Sequence, residues 1–177
     1  MSASITDRMR GAAMLDVATY EAIEADRTAT GQALVVVIIV AICQGIGNMN
    51  RGSSGIILGV IGAIGGWLLW SGVTMIVGTK LFGGTADWGE LLRTLGFAQA
   101  PGVLALFGLI PVLGVMALFI VGIWQAIACV IAIRQALDFS TGKAIVTALI
   151  GFIVIMVVMA ILGTVFGVTA AVGRTVF

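Results

Sequence analysis

Apolar residues run almost unbroken through five stretches of the chain, and the polar residues collect in short intervals between them. Residues 32–47 (QALVVVIIVAICQGIG), 55–78, 95–110, 112–133 and 144–172 contain no Asp, Glu, Lys or Arg. A helix crossing the roughly 30 Å hydrocarbon core needs about 20 mostly apolar residues. Each stretch therefore predicts a membrane-spanning helix, the first and third slightly short. The fifth, at 29 residues, exceeds a perpendicular crossing and must tilt, bend near Gly163 or project beyond the bilayer. No stretch alternates with the period of a strand. The expected fold is an all-α integral membrane protein: a five-transmembrane-helix bundle over residues 32–173, preceded by an N-terminal segment over residues 1–31.

The intervals carry their own patterns. In the N-terminal segment Met9, Ala13, Val17, Tyr20 and Ile23 recur at helical spacing, while Asp16, Glu21, Glu24 and Asp26 fall largely off that line. This predicts an amphipathic helix over about residues 9–25, on the surface of the membrane or of the bundle. Its acidic character argues for docking against protein rather than anionic lipid. The apolar stretch starts too late for a cleavable signal peptide, so the first span is expected to be an uncleaved anchor. Between the second and third spans, Gly83-Gly84 ends one helix, and Asp87 with Glu90 three residues on forms a capping-box-like start for the next. Ser140 or Thr141 can cap the fifth. Ile110-Pro111-Val112-Leu113-Gly114 predicts a tight hairpin between spans three and four. Because Pro101 removes an internal hydrogen bond from the third, a re-entrant pair that never fully crosses is the alternative there.

Composition closes off the soluble reading: 60% of residues are hydrophobic and only 10% charged, against roughly 25% charged in ordinary soluble domains. Placing the N-terminus inside puts Arg8, Arg10, Arg27, Lys80, Arg93, Arg134 and Lys143 on the cytoplasmic side, leaving Arg51 and Arg174 opposite. Seven against two satisfies the positive-inside rule for an odd number of spans. The expected topology is N-in/C-out. A net charge of +1 offers no basic patch for nucleic acid.

Candidate chemistry is sparse. The chain has no histidine, which removes the commonest metal ligand and acid–base catalyst. Cys43 and Cys129 lie inside apolar runs, where thiols are inert small hydrophobes. The acids stand singly at surfaces, and Gly142-Lys143 lacks the earlier glycine of a phosphate loop. No catalytic, metal or cofactor-binding residue is assigned, and no cofactor is expected. Gly55, Gly59, Gly62 and Gly66 share one face of the second span, where small residues permit close helix approach. Packing within the chain is the favoured use, contact with another subunit the alternative. Gln44, Gln99 and Gln125 are the amides expected inside the bilayer. Interhelical hydrogen bonding is favoured for them, with a solute path around Pro101 as the sharper rival. No ionisable residue sits mid-span, which counts against a proton-coupled transporter.

The stretch Trp88-Gly89-Glu90-Leu91-Leu92-Arg93-Thr94-Leu95-Gly96-Phe97-Ala98-Gln99-Ala100-Pro101, then Ile110-Pro111, Trp124, and the run Ile133 to Ala144 containing Ser140-Thr141-Gly142-Lys143-Ala144, resembles bacterial members of the YIP family. These are five-span relatives of eukaryotic Rab-GTPase-interacting membrane proteins. Thr28 to Leu34 is similar to that family's approach to its first span. The resemblance implies a shared membrane fold, a cytoplasmic N-terminus and roles in membrane organisation or partner binding. It implies no catalytic residues. The long N-terminal region of eukaryotic members is missing, which puts a Rab-type partner in doubt. Arg93, Gln99, Pro101, Arg134 and Gln135 match the pattern as structural or docking positions, as does Trp124 in the fourth span. The expectation is a non-enzymatic scaffold or small accessory subunit in the bacterial cytoplasmic membrane. Its partners would be other integral membrane proteins, membrane lipid or further copies of itself. The alternative is a small channel or transporter.

Overall fold

A computed structural model describes residues 3–49, 55–110 and 113–176, with the side chains of 159, 162, 163 and 165–176 excepted. Its elements are α1 (Ile5–Ala13), α2 (Val17–Ala25), α3 (Ala29–Gly47), α4 (Ile56–Phe82), α5 (Trp88–Phe97), a 3₁₀ helix (Ala100–Leu109), α6 (Leu113–Ala136) and α7 (Thr141–Val176). Among the described residues five stretches are long and apolar enough to cross a membrane: Ala29–Gly47, Ile56–Phe82, Trp88–Leu109, Leu113–Ala136 and Thr141–Val158. The loop carrying Arg51 and the hairpin residues Pro111 and Val112 lie outside the described residues, as does the side-chain environment of Gly163.

The N-terminal segment is two helices rather than the single helix expected over 9–25. Leu15 takes a left-handed φ of 62°, and Asp16 then caps α2, accepting a hydrogen bond from the Thr19 amide at 3.0 Å. A short polar side chain that bonds the backbone two or three residues on favours such a restart over helix continuation. The two helices cross closely: a methyl on Gly11 would lie 2.2 Å from Thr19 Oγ1.

The third span is compound. α5 begins with a full capping box, the Asp87 amide donating to Glu90 Oε2 and the Glu90 amide to Asp87 Oδ1. It ends at Phe97, and Pro101 sits in the first turn of the 3₁₀ helix. Ten residues of 3₁₀ is long for a helix type rarely sustained beyond three or four. Tertiary contact explains it, because the thinner helix lets backbones touch. A methyl on Gly47 would lie 1.9 Å from the Ala105 carbonyl oxygen, and one on Gly108 would lie 2.6 Å from that of Gly47.

α3 packs on the 3₁₀ helix, α4 and α5, and α6 packs on the 3₁₀ helix, α7 and α5. α4 joins α7 to α5, and α2 lies against α5 and α6. The core runs through Tyr20, Ile23, Val36, Val37, Val40, Leu91, Phe97, Ala128, Ala132, Ile133 and Leu137. Two of its largest fully buried side chains, Tyr20 and Ile23, come from α2. The N-terminal hairpin is thus part of the fold rather than an appendage. At the same end, Gly83 takes a φ of 72° to close α4. Gly84 then runs so close to α6 that a methyl would lie 2.6 Å from Leu137 Cδ2.

Candidate functional site

Most of the polar positions singled out from the sequence converge on the N-terminal hairpin. Arg93 of α5 is buried, 4% exposed, and donates from Nε at 3.1 Å and from Nη2 at 2.6 Å to the backbone carbonyl of Glu24. That carbonyl belongs to the last turn of α2, where carbonyls lack helical partners and a cation is favoured. Trp124 of α6 donates its indole N–H to the carbonyl of Ala13 at 2.7 Å, at the end of α1. Gln135 donates from Nε2 to Glu21 Oε1 at 2.9 Å and is held in turn by Arg134, whose Nε donates to Gln135 Oε1 at 2.8 Å. Arg93, Trp124, Arg134 and Gln135 therefore form one clamp, with three direct grips on α1 and α2.

Arg8 completes the clamp and had no signal in the sequence. It is 6% exposed, pairs with Asp26 and donates to Gln32 Oε1 at 3.2 Å. The Thr28 hydroxyl and then the Arg8 guanidinium hold the Asp26 carboxyl down at about 2. Glu24 goes the other way. Burial first, then the neighbouring carboxylates of Glu90 and Asp138, push it up to about 7, against the pull of Arg93.

Deeper in the bundle the three glutamine positions meet. Gln44 Nε2 donates to Gln125 Oε1 at 3.4 Å, and Gln125 Nε2 donates to the Gln99 carbonyl at 3.1 Å. Gln99 contributes its backbone, not its amide. Asn48, one turn beyond Gln44, donates to the Gln44 carbonyl at 2.8 Å. The buried Pro101 and Gly102 bring the 3₁₀ helix up to this cluster; a methyl on Gly102 would lie 2.5 Å from both Gln125 Nε2 and Val40 Cγ1. These are the interhelical bonds that amides in hydrocarbon require.

The glycines of the second span behave differently from the favoured expectation. A methyl on Gly55, Gly59, Gly62 or Gly66 would meet nothing within 4 Å among the described residues. Among the described residues the face packs on nothing. Close approach is made instead by Gly47, Gly102 and Gly108, and by Gly96, where a methyl would lie 2.7 Å from Ala33 Cβ. Gly96, Gly102 and Gly108 recur every six residues, which is not the three- and four-residue spacing of an α-helical face, so pattern reading passed over them. Among the described residues no group of three or more Cys, Asp or Glu side chains could hold a metal ion.

Compared with known families, residues 16–162 match the Yip1 domain. No curated protein and no solved structure matches the chain.

Proposed function

Since the chain belongs to the Yip1 domain family, we propose that it is a non-enzymatic integral membrane protein working as a scaffold or small accessory subunit, binding other membrane proteins side-on within the bilayer. The observation that carries this reading is the open face of α4. Only 11% of an 18-residue apolar window of α4 is buried, against 67% for that of Trp88–Leu109. Gly55, Gly59, Gly62 and Gly66 line it, with open space beside each among the described residues. Glycine inside a helix costs up to about 1 kcal/mol relative to alanine, and packing among the described residues offsets none of that here. A partner helix seated on the face would, because association in lipid depends on close backbone approach. In this reading the hairpin end faces the cytoplasm, where seven of the nine Lys and Arg residues gather, and the membrane is the bacterial cytoplasmic one.

The test is the mass of the native particle after gentle extraction from its own membrane, with every co-purifying protein identified. A particle carrying reproducible membrane-protein companions, released by Gly59→Leu with Gly62→Leu, is the expected result. A particle containing only this chain, unchanged by those substitutions, would sink the reading.

A further inference from the structure

The hairpin of α1 and α2 does not lie flat across the end of the bundle. Its upper end is held at Gln135, next to the last residue of α6, and its lower end at Trp124. Eleven residues of helix separate those two contacts, which is about 16 Å of rise. The hydrocarbon core is about 30 Å thick, so the turn at residues 14–16 lies close to half-way through the span of α6. On the hairpin Arg10 and Asp16 are exposed near this depth, beside the exposed Met14, and Asp7 and Glu21 are exposed toward the upper end.

On another face of α6 the surroundings are the opposite. Ile123 and Ile127, at the same depth, are exposed and line an apolar hollow with Ile131, Thr141 and Ile145. One side of α6 asks for lipid where another asks for water. A charged side chain held at the bilayer centre costs roughly 2.5–3.5 kcal/mol even on the most lenient scale, and bilayers relieve that cost by thinning and admitting water. Polar groups continue past the turn. Trp124 is followed by Gln125, which joins Gln44, which joins Asn48 beyond the far end of α3. Gln44, Asn48, Gln99 and Gln125 are all only partly buried. Between them, the outer face of the hairpin and the amide cluster offer hydrogen-bonding groups from one end of the bundle to the other.

We propose that the N-terminal hairpin is a polar wedge that thins the bilayer against α6, and that phospholipid headgroups cross between leaflets at the thinned site. The inference does not depend on what binds α4. No bond forms or breaks; the headgroup exchanges water for the hairpin's polar face and then for the amides, while its acyl chains stay in lipid.

The test uses the full chain in phosphatidylcholine–phosphatidylglycerol liposomes with a trace of nitrobenzoxadiazole-headgroup lipid, bleached from outside by dithionite. In protein-free vesicles bleaching stops once the outer leaflet is spent. With the protein it is expected to continue into the inner pool. Ala18→Leu, Ala22→Leu and Ala25→Leu, all exposed positions on α2, combined with Asp16→Asn, make the outer face tolerant of lipid. They leave Arg93, Trp124 and Gln135 in place, and should slow crossing by about tenfold or more. Should that variant fail to fold, bilayer thickness provides a second reading. Wild-type protein should slow in dierucoyl lipid relative to dimyristoyl lipid, because thinning a thicker bilayer costs more. Three results would each overturn the proposal: bleaching that stops at the outer leaflet, a crossing rate indifferent to both the variant and the thickness, or parallel escape of an entrapped soluble dye, which marks a pore.

Discussion

Replacing Arg93 with methionine should release the hairpin while leaving the five spans assembled. The guanidinium is buried and makes two short hydrogen bonds to one carbonyl, that of Glu24 in the last turn of α2. Methionine fills much of the same volume but donates nothing. The Glu24 carbonyl then loses its partner in a sheltered site, a cost of about 1–3 kcal/mol. The cation also leaves the C-terminal end of α2, where partly buried charges have contributed up to about 2 kcal/mol. The two effects overlap, so about 2–4 kcal/mol of docking free energy is at stake, or roughly 30- to 1000-fold in the equilibrium between docked and free hairpin. Amide hydrogen exchange of the protein in micelles reads this directly. Protection of residues 17–25 should fall by that factor, while α6, held by α7 and the 3₁₀ helix, keeps its own. Arg93→Lys should recover part of the loss, since it keeps the charge but not the fork. Unchanged protection in α2 would refute the reasoning. So would an equal loss across α6, which would mean that Arg93 supports the bundle rather than the clamp.

The Glu24 carboxyl, pushed up to about 7 from an ordinary 4.5 by burial and by Glu90 and Asp138, makes docking depend on pH. The docked state holds the proton more tightly, so docking is fully supported below about pH 4.5 and weakens as pH rises toward and through 7. Exchange protection of α2, corrected for intrinsic rates, should show that decline, and Glu24→Gln should flatten it. Gly47→Ala drives a methyl against the Ala105 carbonyl and should destabilise the isolated chain by about 1–3 kcal/mol. Gly62→Ala meets open space and should be neutral or stabilising by up to about 1 kcal/mol; thermal unfolding in micelles compares the two. Gln125→Leu removes a donor to Gln99 and an acceptor from Gln44, and should cost about 0.5–1.5 kcal/mol in the same assay. If Gln99→Leu instead abolishes a measurable solute flux in liposomes, the amides line a path and the channel alternative displaces the scaffold.

What could be read from the sequence divides along a physical line. The spans were legible because hydrocarbon thickness is fixed and few other environments tolerate five such uncharged runs. The start of α5 was legible because a capping box is a local bond between residues three apart. The clamp residues Arg93, Trp124 and Gln135 stood out because they match the family's pattern, although their partners could not be named. Those partners are mostly backbone carbonyls of the hairpin, and a carbonyl leaves no mark in a sequence. The break at Leu15 was missed for a related reason. Asp16 is a good cap, but nothing about leucine announces a φ of 62°.

The glycines show the deeper limit. In water, an apolar stripe tells which face of a helix is inside, because burial and hydrophobicity go together. In lipid the outside is as apolar as the inside, and Ile57 of α4 is 76% exposed while Val36 of α3 is fully buried. Periodicity therefore loses its meaning as a burial signal, and helical spacing drew attention to Gly55, Gly59, Gly62 and Gly66, beside which a methyl would meet nothing among the described residues. The glycines that hold the bundle together are set by steric fit between segments far apart in the chain, Gly47 against Ala105 and Gly102 against Gln125 and Val40. A face rich in glycine with no partner among the described residues is then informative in the other direction. Among the described residues the backbone is left open along α4, where a partner helix could close it.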